Sequence, residues 1–259
     1  MGVHEGSWAP GTPCWVDISV PDLARSQAFY AAVLGWEFTE GTEEFGGYTT
    51  ALVNGRGAAG MAPPMNGEGG APTFWTVYLA TADSAATEAA IAAAGGQVIA
   101  PTMTLGDLGA MGIYADPTGA VFGTWQSGSH TGYDVANEPG AVAWCEAAVG
   151  DFDAGKSFYT DVFGYSYLDM SGPGAAYAMF SVPDGDRPAG GLSGPSPDRP
   201  PSWSVTFETD GVDAAVARAQ ANGGAVLREP FDFQYGRLAL VAGPDGEPFG
   251  LMTSVVMSG

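Results

Sequence analysis

The chain has 259 residues, 46% of them hydrophobic, and a formal net charge of −21 from 29 acidic against 8 basic residues. That length supports two cores. That charge excludes tracking of a phosphate backbone and disfavours anionic membranes and polyanionic substrates.

In chain order, Cys14–Val20 is an alternating β-type run, and Asp22 after Pro21 is placed to cap a helix over Leu23–Leu34 that Gly35 stops. Short strands are predicted at Trp36–Glu40, Tyr48–Val53 and around Ala58–Met61, separated by Gly46-Gly47 and Asn54-Gly55. A Gly- and Pro-rich loop, Ala62–Pro72, leads to a strand at Phe74–Ala80 and an alanine-rich helix from Ser84 to Ala94, ended by Gly95-Gly96. Strands near Val98–Met103, Gly112–Ala115 and Val121–Gln126 follow, the last two joined by a turn at Asp116–Gly119.

The chain then repeats itself. Trp15 returns as Trp144, Phe29-Tyr30 as Phe158-Tyr159 and Tyr48 as Tyr177, all at an offset of 129 residues that drifts to 127 by Gly123 and Gly250. Two copies at so long a period mark a duplicated domain. The predicted division is a first domain at 8–126, a linker at 127–138 and a second domain at 139–257, with second-copy helices near Phe152–Val162 and Val212–Ala221. The fold class is therefore α+β, built from four βαβββ units. The first seven residues hold no basic-then-apolar leader, and no apolar run approaches membrane-spanning length. Cys14 and Cys145 occupy non-equivalent positions and read as free buried thiols, so a cytoplasmic location is expected.

The run Asp22-Leu23-x5-Phe29-Tyr30-x3-Leu34-Gly35, closed by Asp116-Pro117-x-Gly119, resembles the glyoxalase, bleomycin-resistance and extradiol-dioxygenase (vicinal oxygen chelate) superfamily. Copy two matches with Asp151-Phe152-x5-Phe158-Tyr159-x3-Phe163-Gly164 and Pro244-Asp245-Gly246. The chain is similar in particular to tandem-domain actinobacterial members. The resemblance implies two glyoxalase-like domains with cupped mixed sheets. It also implies a divalent metal in each cup, held by a His on the first strand, a His or Gln opening the second unit and a Glu on the last strand.

Carried over, those positions are Trp15, Thr76 and Gly123 in copy one, and Trp144, Ser204 and Gly250 in copy two. None is a ligand type, and the histidines, His4 and His130, fall in the tail and the linker. No metal or other cofactor is expected. Strand alternation places Trp15 and Asp17 in the first cup with Thr76 and Tyr78. It places Trp144 and Glu146 in the second, with Ser204, Thr206 and Glu208. Tyr48, Met61, Met111 and Trp125 are further candidates for the first cup, and Tyr177, Met179 and Met252 for the second. Gly123 and Gly250 remove bulk where the ligand Glu stands in the family, leaving the backbone open to a flat ligand.

An aromatic- and Met-lined cup suits a planar, largely apolar, neutral or cationic small molecule. The plainer alternative is that these aromatics fill the cups as core. Asp17 and Glu146 are candidates for general acid/base catalysis or for pairing a ligand cation; a solvated rim carboxylate is the alternative. Three functions follow: metal-independent binding in natural-product metabolism or drug sequestration, a metal-free isomerase, cyclase or lyase, and an interaction protein with filled cups. A monomer or homodimer that binds neither nucleic acid nor membrane fits all three.

Overall fold

Two eight-stranded mixed sheets carry the molecule in this computed structural model, which describes residues 3–64, 72–197 and 199–255. The predicted loop at Ala62–Pro72 falls mostly outside those residues, with Gly67–Gly70, as do the Glu44 side chain and 256–257 at the predicted end of the second domain. The first sheet runs β2 (Glu37–Phe38), β3 (Thr49–Val53), β4 (Arg56–Ala62), β1 (Pro13–Ser19), β5 (Trp75–Thr81), β8 (Val121–Ser127), β7 (Gly109–Ala115) and β6 (Gln97–Leu105). The second has the same order: β10 (Ser166–Asp169), β11 (Tyr177–Ser181), β12 (Gly190–Ser193), β9 (Val142–Ala148), β13 (Ser202–Glu208), β16 (Pro248–Ser254), β15 (Gly236–Ala242) and β14 (Ala225–Phe233). In each, the first strands of the two units pair antiparallel at the centre, β1 with β5 and β9 with β13.

Among the described residues the α-helices are α1 (Leu23–Leu34), α2 (Ser84–Ala93), α3 (Phe152–Phe163) and α4 (Val212–Ala221). Asp22, Asp83 and Asp151 each accept a bond from the backbone N–H three residues on, satisfying a donor that the first turn leaves free. Gly35 and Gly164 end α1 and α3 in the left-handed conformation, at φ 74° and 71°, which is cheap only for glycine. Among the described residues no helix is long and apolar enough to cross a membrane.

The two copies are interlocked. Phe29 and Tyr30 of α1 pack on Phe249 of the second sheet, at ring separations of 6.2 and 5.4 Å, and Trp75 meets Phe207 at 5.3 Å. The mirror-image cluster sets Phe158, Tyr159 and Phe163 of α3 against Phe122 of the first sheet. Each aromatic core thus joins the first helix of one copy to the sheet of the other.

Two buried carboxylates stitch these cores. The Tyr159 hydroxyl donates to Asp116 (3.1 Å) and also accepts from Trp203 Nε1 (2.8 Å). On the other side the Tyr30 hydroxyl donates to Glu247 (2.9 Å) and accepts from Trp75 Nε1 (3.1 Å). Asp116 also accepts from Thr118 and Ala120 in its own turn, so the closing Asp-Pro-x-Gly segment serves the interface between copies. The helix-covered faces of both sheets are thus spent in the contact between copies.

Candidate functional site: two cups of unequal openness

The same three-residue constellation lies at the floor of both cups. In the first, Trp15 Nε1 donates to the Tyr48 hydroxyl (2.8 Å), and the hydroxyls of Tyr48 and Tyr78 donate to Asp17 Oδ2 at 3.4 and 3.2 Å. In the second, Trp144 Nε1 donates to the Tyr177 hydroxyl (3.2 Å), beside Glu146. Register explains the match: Asp17 pairs with Gly60 and Thr76, and Glu146 with Gly191 and Ser204. Glycine at 60 and 191 is what lets the tyrosines in. A Cβ at Gly60 would land on the Tyr48 hydroxyl, and one at Gly191 on the Tyr177 hydroxyl. Gly60→Ala should therefore expel Tyr48 and cost about 1–3 kcal/mol by overpacking, measured as a lower Cm in urea with an unchanged m-value.

The electrostatics of the two cups diverge. Burial pushes the Asp17 carboxyl up to about 7, against the opposing pull of the Tyr78 and Tyr48 hydroxyls. Residues 62–72, which join β4 to β5, contain no lysine or arginine. In the second cup the equivalent loop supplies Arg199, whose guanidinium bonds Glu146 Oε1 (3.0 Å) and Ser204 Oγ (2.9 Å). Ser193 donates to the same carboxylate oxygen (3.2 Å). Among the described residues Glu146 is thus ion-paired, whereas Asp17 has no cationic partner.

Size diverges as well. Trp15, Tyr78 and Trp125 are 3–5% exposed, whereas Trp144, Thr206 and Met252 at the equivalent positions are all partly open. Asp17, Tyr48, Thr76 and Met111 remain partly open in the first cup. The predicted linker covers the rest of that cup. The backbone N–H groups of Gly128 and His130 donate to the carbonyl of Leu108, that of Tyr133 donates to Cys14 and that of Asp134 to Gly57. This strap seats the His130 ring 4.5 Å from Trp15 and 5.2 Å from Trp125.

Most of the sequence-selected residues lie on the cup faces. In the first cup these are Trp15, Asp17, Tyr48, Thr76, Tyr78, Met111, Gly123 and Trp125; in the second, Trp144, Glu146, Tyr177, Met179, Ser204, Thr206, Glu208, Gly250 and Met252. Met61 is a correction: it pairs with Ile18, is fully buried and sits under α1, because Gly60 takes the cup-facing position. Glu208 is drawn to the rim, where it accepts from the backbone N–H and hydroxyl of Ser254. The glycines at 123 and 250 do not leave bare backbone. The Tyr78 ring fills the space over Gly123, and the smaller Thr206 stands over Gly250.

Sequence reasoning missed Arg199 and the strap. Arg199 lies in a proline-rich loop whose path no periodicity reveals, and His130 in a segment without pattern. His4 stacks instead on Trp8 at 3.7 Å, so the two histidines do not gather at one floor. Both cysteines are free and buried, with the Cys145 thiol pushed up to about 12 by burial.

The superfamily's metal can be tested against the donors present. An indole, a hydroxyl and a glycine stand at the three positions in each cup, and these residues do not fit a divalent ion. Among the described residues no other group of three His, Cys, Asp or Glu side chains is arranged to hold one.

Comparison with known proteins agrees with the architecture. The profile of the Glyoxalase/Bleomycin resistance protein/Dioxygenase superfamily matches residues 14–123 and again 141–251. The chain is 36% identical over 248 residues to a putative glyoxylase, CFP32, of Mycobacterium tuberculosis, covering 93% of this chain and 94% of that protein. It is 35% identical over 260 residues to the anthracycline biosynthesis protein DnrV of Streptomyces peucetius, covering 95% and 94%. In fold it is similar to the Mn(II)-bound glyoxalase of Novosphingobium aromaticivorans, with TM-score 0.67 at 16% identity over 98% of this chain and 83% of that one. It is also similar to 2,2',3-trihydroxybiphenyl 1,2-dioxygenase of Sphingomonas wittichii, with TM-score 0.66 at 15% identity over 96% and 93%. With the profile matched twice and the relatives spanned nearly end to end, the chain belongs to the Glyoxalase/Bleomycin resistance protein/Dioxygenase superfamily, as a tandem duplication of its domain.

Proposed function

We propose that the protein binds a small, planar, largely apolar molecule, neutral or cationic, without a metal. The observation that carries this reading is the replacement of the family's ligand positions, in both cups, by a tryptophan hydrogen-bonded to a tyrosine next to a carboxylate. Flat aromatic walls with a few fixed polar groups favour a flat ligand, because stacking supplies the area and the polar groups set its orientation. The relative named for anthracycline biosynthesis supports a place in natural-product metabolism, and sequestration of such a molecule uses the same geometry.

The test is calorimetric titration of a neutral polycyclic aromatic, anthraquinone, into protein stripped with a chelator and into protein supplied with Mn2+. Stoichiometric binding that is equal in both supports the reading. Binding that requires the metal, or none at all, sinks it.

A second reading, metal-free proton transfer, is favoured by one observation. Asp17 titrates near neutrality between two tyrosine hydroxyls, where a carboxyl can both take and return a proton. Asp17→Asn separates the two. A binder of a neutral ligand keeps its affinity, whereas an isomerase, cyclase or lyase keeps binding and loses turnover.

A further inference from the structure

The two cups share a floor but not a ceiling. Trp15 is sealed beneath the His130 strap, while its counterpart Trp144 is partly open. Tyr78 and Trp125 give way to Thr206 and Met252, which removes two rings from the second cup. The registers that align Phe231 with Leu238, and Leu238 with Met252, extend a partly open apolar wall across β14, β15 and β16. On the same cup face stands the ion pair of Glu146, on β9, with Arg199, from the loop that precedes β13.

This pair is a donor and an acceptor side by side on one floor. Arg199 spends one terminal nitrogen on Glu146 and the other on Ser204, and a guanidinium carries five N–H groups, so donors remain. Glu146 receives Arg199 and Ser193 at Oε1, with the Tyr177 hydroxyl beside the same carboxylate, and a carboxylate offers about four lone-pair sites, so it can still accept from an incoming hydroxyl. An ion pair has no net charge, so it does not call for a charged ligand. What it matches is an edge that offers both an acceptor and a donor. The first cup presents Asp17 with two phenols and no guanidinium, which is a different edge.

Resting on the binding function above, we propose that the second cup takes the ligand and selects a neutral planar aromatic bearing, on one edge, a carbonyl and a ring hydroxyl set too far apart to bond to each other. The carbonyl accepts from Arg199, the hydroxyl donates to Glu146, and the ring lies between Trp144 and the Leu238–Met252 wall. Selectivity comes from the cost of leaving a partly buried polar group without its partner when the hydroxyl is missing.

The experiment compares 2-hydroxyanthraquinone, its 2-methoxy ether and anthraquinone by calorimetric titration at pH 6, where the hydroxyl keeps its proton, each against wild-type protein, Arg199→Met, Arg199→Lys, Glu146→Gln and Trp144→Leu. The expected result is one equivalent bound per chain, with the hydroxy compound preferred about tenfold over the other two. Arg199→Met and Glu146→Gln should level the three affinities, Arg199→Lys should restore part of the preference, and Trp144→Leu should weaken all three. A preference that survives both Arg199→Met and Glu146→Gln overturns the proposal, as does Trp144→Leu binding like wild type. If anthraquinone binds as well as the hydroxy compound to the wild type, the edge selection fails while binding stands. If none of the three binds, the binding function itself fails.

Discussion

Phe249→Ala should destabilise the protein by about 3–5 kcal/mol and lower the melting of both copies together. Phe249 is 2% exposed and belongs by sequence to the second copy, yet its neighbours Phe29 and Tyr30 sit on the first helix of the first copy. Removing its ring opens a cavity where neither copy can close it alone. Two independently folded repeats would behave otherwise, with one transition falling and the other staying in place. Differential scanning calorimetry of the variant distinguishes these directly. A single transition at lower temperature is the expected trace, and a split trace with one unshifted peak contradicts the interlocked core. Phe122→Ala, at the equivalent place in the mirror cluster, should behave alike.

Asp17→Asn should make stability less dependent on pH. An ordinary aspartate titrates near 4 in the unfolded chain, whereas burial raises Asp17 to about 7 in the fold. The folded state therefore binds the Asp17 proton more tightly than the unfolded state does. Stability from this group is complete below about pH 4 and is lost as the pH rises through about 7, a change on the order of 2–4 kcal/mol. Glu247, raised by burial beneath Tyr30, contributes in the same direction. Other carboxylates titrate in both proteins, so the informative quantity is the difference between wild type and Asp17→Asn. That difference should be small at pH 4 and grow in favour of the variant by pH 8, measured by urea unfolding at each pH. A difference that stays constant across the range would place the Asp17 carboxyl in bulk solvent.

The fold was legible because its signals are local and occur twice. The cap at Asp22, the stop at Gly35 and the apolar period between them bound α1 as Leu23–Leu34, and α3 repeats the pattern with Asp151 and Gly164, whereas α4, capped by Gly211 and Asn222, is legible only through the repeat. Alternation along β1 separates Trp15 and Asp17 from Val16 and Ile18, so the floor of the cup is legible in the residue pattern itself. Met61 is misplaced because β4 after Arg56 is alanine and glycine apart from Met61 itself, and a run with no polar residue gives no alternation to read. Only the register with β1 decides its face. Arg199 and His130 were out of reach for a different reason. Both reach their cups from loops, whose paths are fixed by long-range backbone bonds such as Tyr133 to Cys14 and not by residue pattern. The same limit hid the interlocking of the copies, since Tyr30 and Glu247 are 217 residues apart.

Metal-independent binding of an aromatic molecule is tested most directly by native mass spectrometry of the protein purified from its own organism, with metal analysis of the same sample. The result expected is a chain carrying an organic adduct that leaves intact on collisional activation, with no stoichiometric transition metal. One equivalent of manganese, iron, nickel or zinc per chain would contradict it.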